Sequence, residues 1–323
     1  FECTINQCNL VFNKIDSIIS DTNYSDNVGI NIYDILSRFT LDTFTEIAFG
    51  KSVGAVKNFP NPNKFGDAFD DCISRMAFRH VDGMWRIKKK LNILNEYYIK
   101  KDIKIMDSFI NDVLNNRQEK LSRISDENNN KYHDIISLFI KQSKNKLTKF
   151  ELKNIAMNMI IAGRDTTRLL ISWWIYEMTK DKHSNIKQNV INEIHNYIET
   201  NNSNIISYND ASNKLRYLEA TLLESLRLNP VVPFLIRRCC KNIKLPDGTP
   251  IFNESIQVNE VIIPTYAYGR NPNIWDEPLI FKPERFISND ININPVTIHD
   301  VYKYPFFNIN PRLCLGRHLA ILE

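Results

Sequence analysis

One stretch near the C-terminal end decides how this chain is interpreted: Phe307-Asn308-Ile309-Asn310-Pro311-Arg312-Leu313-Cys314-Leu315-Gly316. Cys314 follows the turn-prone pair Asn310-Pro311 and precedes an apolar segment that predicts a helix from Arg317. A thiol beside a helix N-terminus and near Arg312 lies in a positive potential, which favours the thiolate, a strong metal ligand. The alternative is that Cys314 is a free cysteine buried among apolar side chains, which is the commoner state of this residue type.

The same stretch resembles the cysteine-ligand loop of the cytochromes P450, whose pattern is Phe-x-x-Gly-x-Arg-x-Cys-x-Gly. Phe307, Arg312, Cys314 and Gly316 match this pattern, and Asn310 stands where the family has glycine. The resemblance implies a haem b cofactor bound by these four residues, with Cys314 as the axial thiolate ligand that promotes O–O cleavage. Glycine permits a bulged, left-handed backbone there, and asparagine is among the few other residues that tolerate it.

Composition indicates a globular chain with a sizeable core, because 43% of the 323 residues are hydrophobic. The net charge of +4 is too small to indicate a nucleic-acid partner. Six cysteines without Cys-x-x-Cys spacing indicate neither a zinc site nor a disulfide framework. No apolar run reaches the roughly 18 residues of a membrane span. Since the chain lacks an initial methionine and stops inside a predicted helix, we expect a P450 domain that is incomplete at both ends.

A long central helix is predicted from the capping-box residues Thr148 and Glu151 to Lys180. It contains Ala162-Gly163-Arg164-Asp165-Thr166-Thr167, in which the glycine alone weakens the helix by about 1 kcal/mol. Such a glycine can simply admit a neighbouring helix. The segment also resembles the Ala-Gly-x-Asp-Thr-Thr of the P450s, which lies over the haem iron. That resemblance implies that Gly163 borders the cofactor, Thr166 positions oxygen and its water, and Asp165 carries protons inward.

Another predicted helix ends at Asn229-Pro230 and carries Glu224 and Arg227 at i,i+3 spacing. Taken alone, these two residues are an ordinary surface pair. The P450s, however, have Glu-x-x-Arg in this position and a second arginine from a downstream Pro-Glu-Arg-Phe, present here as Pro283–Phe286. The resemblance therefore implies a buried structural triad of Glu224, Arg227 and Arg285 beneath the haem. It also implies that Arg237 contacts a haem propionate.

The predicted fold is mainly α with a small β subdomain, as in the P450s, in one partial catalytic domain. It has a helical body over about 1–228, a small β region over about 231–270 and the haem-ligand loop 307–316. Apolar periodicity predicts further helices, and turn residues bound short strands. The helices are predicted at 32–49 with Gly50 as C-terminal cap, at 65–76, at 99–121 and after Ser184 as N-cap. A polar linker is predicted at 126–131. The strands are predicted at 236–238, 256–258 and 261–263.

The apolar stripe of the helix at 65–76 roofs the substrate pocket in the P450s, but core packing accounts for such a stripe equally well. A basic cluster follows beside Trp85, at Arg86 and 88–90. It either faces anionic lipid or belongs to a solvated loop.

Three motifs in the family's order predict a haem-thiolate monooxygenase that inserts one atom of O2 into a C–H bond of a lipophilic substrate. The strings Leu36–Gly50 and Tyr268-Gly269-Arg270 look like the fatty-acid hydroxylase branch, which implies a long-chain fatty acid. The resemblance further implies electrons from an NADPH-dependent flavoprotein reductase. It places the protein at the cytosolic face of the endoplasmic reticulum membrane, with membrane association only through a segment before residue 1.

Two alternatives stay open at this stage. The chain could isomerise an oxygenated lipid without a reductase, but Asp165 and Thr166 argue against this because such enzymes need no relay for O2 activation. It could also be a non-catalytic haem-binding fragment.

Overall fold

The computed structural model describes residues 1–20, 29–122, 134–143, 146–202, 206–251, 253–254, 257–258, 260–288 and 302–323. The predicted linker at 126–131 and the strand position Ile256 lie outside these ranges. Within them the chain is mainly helical. The helices are α1 Glu2–Ile19, α2 Ile32–Phe49, α3 Lys64–Ala77, α4 Trp85–Leu91, α5 Asn95–Ser122, α6 Ile135–Gln142, α7 Lys149–Met178, α8 Ser184–Asn201, α9 Tyr208–Asn213, α10 Arg216–Leu228, α11 Thr265–Tyr268 and α12 Arg317–Leu322.

The described residues form two compact units, Phe1–Arg168 (unit 1) and Leu169–Glu323 (unit 2), and α7 contributes residues to both. None of the described helices is both long enough and apolar enough to cross a bilayer.

Unit 1 is built around the contact between α3 and α5, which brings two apolar faces together. Phe65 of α3 packs edge-on against Phe109 of α5, with ring centroids 5.0 Å apart. The helix predicted at 65–76 is therefore present, but only part of its apolar stripe is buried. Phe65, Ala68, Phe69 and Cys72 are buried, whereas Ile73 and Met76 are exposed.

Helix α2 begins and ends where its capping residues predict. The Asn31 side chain accepts a hydrogen bond from the Asp34 amide, and Gly50 adopts a left-handed φ of 66° after the last turn. The buried Asp42 side chain then accepts hydrogen bonds from the amides of Ala55 and Val56, at 2.9 and 2.8 Å. These bonds hold the loop after α2 against the helix.

The start of α7 has the predicted capping box. The Thr148 amide donates to Glu151 Oε2 at 2.8 Å, and the Glu151 amide donates to Thr148 Oγ1 at 3.2 Å. The start of α8 differs from the prediction. Ser184 is the first helical residue rather than the N-cap, because a 3-10 turn at Asp181–His183 precedes it and the Ser184 amide donates to the Asp181 carbonyl.

The small strands of unit 2 form three separate two-stranded antiparallel ladders. In the ladder that matters for the site, β1 pairs with β6 so that Arg237 lies opposite Val261. Side chains alternate along β1, with Arg237 half-buried and Arg238 exposed. The strands are β1 Leu235–Arg238, β2 Ile243–Lys244, β3 Pro250–Ile251, β4 Asn253–Glu254, β5 Gln257–Val258 and β6 Glu260–Ile263.

The core of unit 2 packs α10 against the segments that follow the β region. Its buried members from the two parts are Ala220, Leu223 and Leu226 of α10 with Trp275, Phe286 and Tyr304. As predicted, α10 ends at Leu228, just before Asn229-Pro230.

Candidate functional site

The Cys314 loop of unit 2 presents its thiol at the surface. The side chain is exposed, and the Cys314 amide donates to the Phe307 carbonyl at 2.8 Å, which closes the loop. The flanking Leu313 and Leu315 are also exposed, Leu315 completely. Helix α12 begins at Arg317, as predicted. The loop thus offers a thiol between two uncovered apolar side chains.

The left-handed residue of this loop is Asn308, not Asn310. Asn308 has a φ of 65°, whereas Asn310 is not among the described residues with positive φ. Its ψ of −178° places Asn308 in a region of backbone space that glycine usually occupies. The positive φ expected at position 310 therefore occurs two residues earlier, directly after the short 3-10 turn Pro305–Phe307.

Arg237 reaches the Cys314 loop from strand β1. Its Nη2 donates to Asn308 Oδ1 at 2.7 Å, and Asn308 adjoins Phe307, whose carbonyl accepts from the Cys314 amide. Phe307 itself lies under the Arg317 guanidinium, 5.7 Å from Cζ to the ring centroid. Arg312 is exposed, and its amide donates to the Ile309 carbonyl. Two hydrogen bonds, from Arg237 to Asn308 and from Cys314 to Phe307, therefore connect three of the predicted cofactor contacts along the loop.

Gly316 keeps the space beside the thiol clear. A Cβ at this position would lie 3.9 Å from Cys314 Sγ, in van der Waals contact, so any larger side chain would occupy the room next to the sulfur. Within the described part of the chain, no three His, Cys, Asp or Glu side chains converge on a point where they could hold a metal ion.

The exposed thiol, the uncovered leucines and the clear space at Gly316 fit a flat apolar group such as haem. The Cys314 thiol could hold haem iron here, and Arg237 is bonded to the same loop through Asn308.

Glu224, Arg227 and Arg285 lie together in unit 2. Arg227 binds the Glu224 carboxylate with Nε and Nη2, both at 2.7 Å, and Arg285 Nε adds a bond at 3.2 Å. The Lys282 amide also donates to Glu224 Oε1 at 2.8 Å. Since Glu224 and Arg227 are fully buried, the pair is not the surface pair that spacing alone suggested.

The remaining N–H groups of Arg227 bind the loop that contains residues 269–280. Nη1 donates to the carbonyls of Gly269 and Pro278, and Nη2 donates to that of Ile280, so all five guanidinium N–H groups are used. Gly269 must be glycine for this approach, because a Cβ there would lie 2.2 Å from the Arg227 carbonyl oxygen. The triad thus fixes the segment 269–285 against α10.

Tyr304 is a buried tyrosine near the triad, and the surroundings of the triad shift its pKa. Tyr304 donates from its hydroxyl to the Leu223 carbonyl at 2.7 Å. Burial and the nearby Glu224 carboxylate raise the pKa of Tyr304 well above its usual range. The hydroxyl therefore stays protonated and continues to donate to the Leu223 carbonyl in the middle of α10.

Gly163, in unit 1, packs against a ring. A Cβ at this position would lie 1.8 Å from Cε1 of Phe44 on α2, far inside contact distance. Close approach of α2 alone accounts for the glycine, and a contact with a cofactor stays a prediction.

Asp165 and Thr166 lie on the accessible side of the same segment. Asp165 Oδ1 is 3.1 Å from Arg168 Nη2 and 3.4 Å from Arg164 Nη1, and a quarter of its side chain is exposed. Thr166 Oγ1 donates to the Ala162 carbonyl at 2.6 Å. The neighbouring Thr167 is 1% exposed. Of the two threonines, Thr166 is therefore the one that a small molecule can reach.

The partner of Arg164 was not predicted from the sequence. This arginine is almost completely buried, and both of its terminal nitrogens bind the carboxylate of Asp70 on α3, with Nη2 to Oδ2 at 2.8 Å. Its Cζ lies 4.9 Å from the Phe69 ring centroid. A charged residue in the middle of an apolar helix was the available signal, because such a charge must find a partner if it is buried.

The comparisons with known proteins concern the family and the fold of the chain. The family model for Cytochrome P450 matches residues 8–323. The chain is 29% identical to cytochrome P450 704B1 of Arabidopsis thaliana, with 96% of this chain and 64% of that protein aligned. It is 28% identical to the alkane hydroxylase MAH1 of the same plant, with 92% and 58% aligned. It spans about three fifths of the length of these relatives.

A solved structure supports the fold. The haem domain of cytochrome P450DA superposes with a TM-score of 0.77 at 17% identity, over 100% of this chain and 64% of that chain. Because the family model covers nearly every residue, the chain belongs to the cytochrome P450 family.

Proposed function

We propose that the protein is a haem-thiolate monooxygenase that inserts one atom of O2 into a C–H bond of a lipophilic substrate. The observation that carries this proposal is the Cys314 loop, which presents an uncovered thiol beside Gly316 and is tied to Arg237 through Asn308. Membership of the family implies haem with a cysteine thiolate as axial ligand. When bound, haem supplies O2 activation and C–H oxygenation.

The chain's own groups take distinct roles in this proposal. Cys314 Sγ binds the iron, while Phe307, Arg312, Gly316 and Arg237 form the surroundings of the haem, with Arg237 as the cation for a propionate. Gly163 borders the cofactor from α7.

Thr166 Oγ1 and the Asp165 carboxylate hold and move protons. A partly exposed carboxylate with contacts of 3.1 and 3.4 Å has lone pairs left for a water, which supports this role.

The substrate class that we propose is a long-chain fatty acid or a similar aliphatic chain. The name of one relative, an alkane hydroxylase, supports an aliphatic substrate. We further propose that electrons come from NADPH through a separate flavoprotein reductase, and that the protein works at the cytosolic face of the endoplasmic reticulum membrane.

The replacement Cys314→Ala tests the assignment of the ligand. We expect the reduced, CO-treated full-length protein to lose the spectrum of a thiolate-bound haem and all turnover, because no other loop residue supplies a thiolate. The measurement is the CO difference spectrum, followed by titration of the wild-type protein with fatty acids of increasing length.

The exposed Cys240 supplies the matched control, since Cys240→Ala should leave the spectrum unchanged. A thiolate-type spectrum that persists in Cys314→Ala would contradict the assignment. Absence of any spectral response to fatty acids would contradict the substrate class alone.

A further inference from the structure

A pocket in unit 2, separate from the Cys314 loop, is lined by more positive than negative side chains. It has a volume of about 210 Å³ and lies where the end of α7 and the 3-10 turn before α8 meet the segments at 228–229 and 270–281. Lys180, Lys182 and Arg270 line it, together with a single carboxylate, that of Glu177. With His183 neutral, the lining carries two net positive charges.

Both oxygens of the Glu177 carboxylate already have hydrogen-bond partners. Lys180 Nζ lies 2.8 Å from both oxygens of Glu177, and Asn229 Nδ2 donates to Oε1 at 3.1 Å. His183 Nδ1 is bonded to the Glu177 carbonyl at 3.0 Å and lies 3.4 Å from Oε2. Since Glu177 is buried and surrounded by these donors, it has little charge left to balance a further cation.

Of the lining cations, the half-buried Arg270 lacks a carboxylate partner among the described residues, as does the exposed Lys182. The Nη1 of Arg270 has only a 3.4 Å bond to the Tyr266 carbonyl. The Cζ stacks 3.7 Å from the Tyr266 ring centroid. Burial, with a further contribution from Arg227, lowers the pKa of Arg270. A half-buried guanidinium with unused donors is stabilised by an anion.

We propose that this pocket binds a phosphate group, either as free phosphate or on a small phosphorylated metabolite. Two net positive charges match a phosphate, which carries about two negative charges at neutral pH, better than they match a single carboxylate. Arg270 supplies planar donors for two oxygens, and the Lys182 ammonium supplies a point charge. The volume holds a phosphate with a few further atoms.

The test is titration calorimetry of the full-length protein in a phosphate-free buffer at constant ionic strength. Inorganic phosphate and glycerol phosphate serve as the two sources of the group, and acetate serves as the monoanion. We expect both phosphates to bind at one site and acetate to bind much more weakly. Tighter binding of glycerol phosphate would assign the site to a metabolite, and tighter binding of inorganic phosphate would assign it to the free ion.

The variants separate the pocket from the general surface charge. Arg270→Gln should weaken phosphate binding by roughly tenfold or more, which is the usual effect of losing a charge-assisted hydrogen bond. Lys182→Gln should weaken it severalfold and, since Lys182 is exposed, should fold normally. The control is Lys187→Gln, an exposed lysine of α8 that does not line the pocket. Failure of wild-type protein to bind phosphate in the millimolar range, or equal weakening by Lys182→Gln and Lys187→Gln, would overturn the proposal.

Discussion

Two carboxylates in this protein each lie between two arginines, but in opposite surroundings. Glu224 of unit 2 is fully buried and accepts four hydrogen bonds of 2.7 to 3.2 Å from Arg227, Arg285 and the Lys282 amide. Asp165 of unit 1 is a quarter exposed, and its two arginine contacts are 3.1 and 3.4 Å long. A carboxylate whose lone pairs are all taken holds structure in place, whereas one with lone pairs left can exchange protons with water.

The arginines beside these two carboxylates differ in how their charge is neutralised. Arg227 depends on Glu224 for its neutralisation, because its other acceptors are backbone carbonyls. Arg164 is just as buried but is neutralised by Asp70, so its contact with Asp165 adds little. We therefore expect the two clusters to respond very differently when one carboxylate is removed.

Glu224→Gln should have the largest effect on stability. It leaves two guanidiniums next to a neutral amide in a dry site, and breaking a buried pair costs about 3 to 5 kcal/mol. We expect a lower unfolding midpoint in urea and loss of bound haem. The control is Glu199→Gln, which removes an exposed carboxylate of α8 in the same unit. Wild-type haem content and midpoint in Glu224→Gln would show that the triad does not support the fold.

Asp70→Asn should have the next largest effect, because it removes the main partner of Arg164. Leaving a buried charged group poorly satisfied costs about 1 to 3 kcal/mol of unfolding free energy. The neighbouring Asp71, which pairs with Arg75 at the surface, provides the matched control, since Asp71→Asn should cost well under about 1 kcal/mol. Equal unfolding free energies for the two variants would mean that Arg164 does not depend on Asp70.

Asp165→Asn should lower stability by less than Asp70→Asn does, because a quarter of the Asp165 side chain is exposed and Arg168 keeps its 2.8 Å hydrogen bond to Ser37 Oγ. If Asp165 carries protons, turnover with the reductase should nevertheless fall by about 10²-fold or more, the usual contribution of a positioned proton-transfer group. Unfolding and turnover are measured on the same preparation. A variant as active as wild type, or one as destabilised as Glu224→Gln, would contradict the contrast between the two carboxylates.

Thr166→Ala should affect stability least, because the hydroxyl only donates to the Ala162 carbonyl within its own helix. Haem content and the CO spectrum should stay unchanged. Less product should form per NADPH, and more peroxide should be released, because the group that positions water for proton delivery is gone. The ratio of product to NADPH is the measurement. The control is Thr179→Ala, at a residue just after the end of α7 whose exposed hydroxyl donates to the Tyr176 carbonyl. An unchanged ratio would make Thr166 an ordinary helix residue.

Local sequence signals were sufficient for the main elements of the fold. The capping box at Thr148, the cap at Gly50 and the proline after Asn229 each set a helix end, because these signals act through neighbouring backbone groups. The prediction failed at Ser184, where a preceding 3-10 turn takes over the first turn of the helix. It also failed to select Asn308 over Asn310, since both residues are asparagine and residue type alone does not decide which of the two adopts a positive φ.

The sequence alone therefore indicated the long helices α2, α3, α5, α7 and α10, the order of the motifs and the resemblance that led to the family. Only the tertiary structure decided which charged groups meet: Arg164 with Asp70, 94 residues away, and Arg237 with Asn308, 71 residues away. It also decided that Glu224 is buried and Asp165 accessible, although both occur beside arginines on predicted helices. The reason is physical: periodicity and caps depend on residues within one or two turns, whereas burial and ion pairing depend on the path of the whole chain.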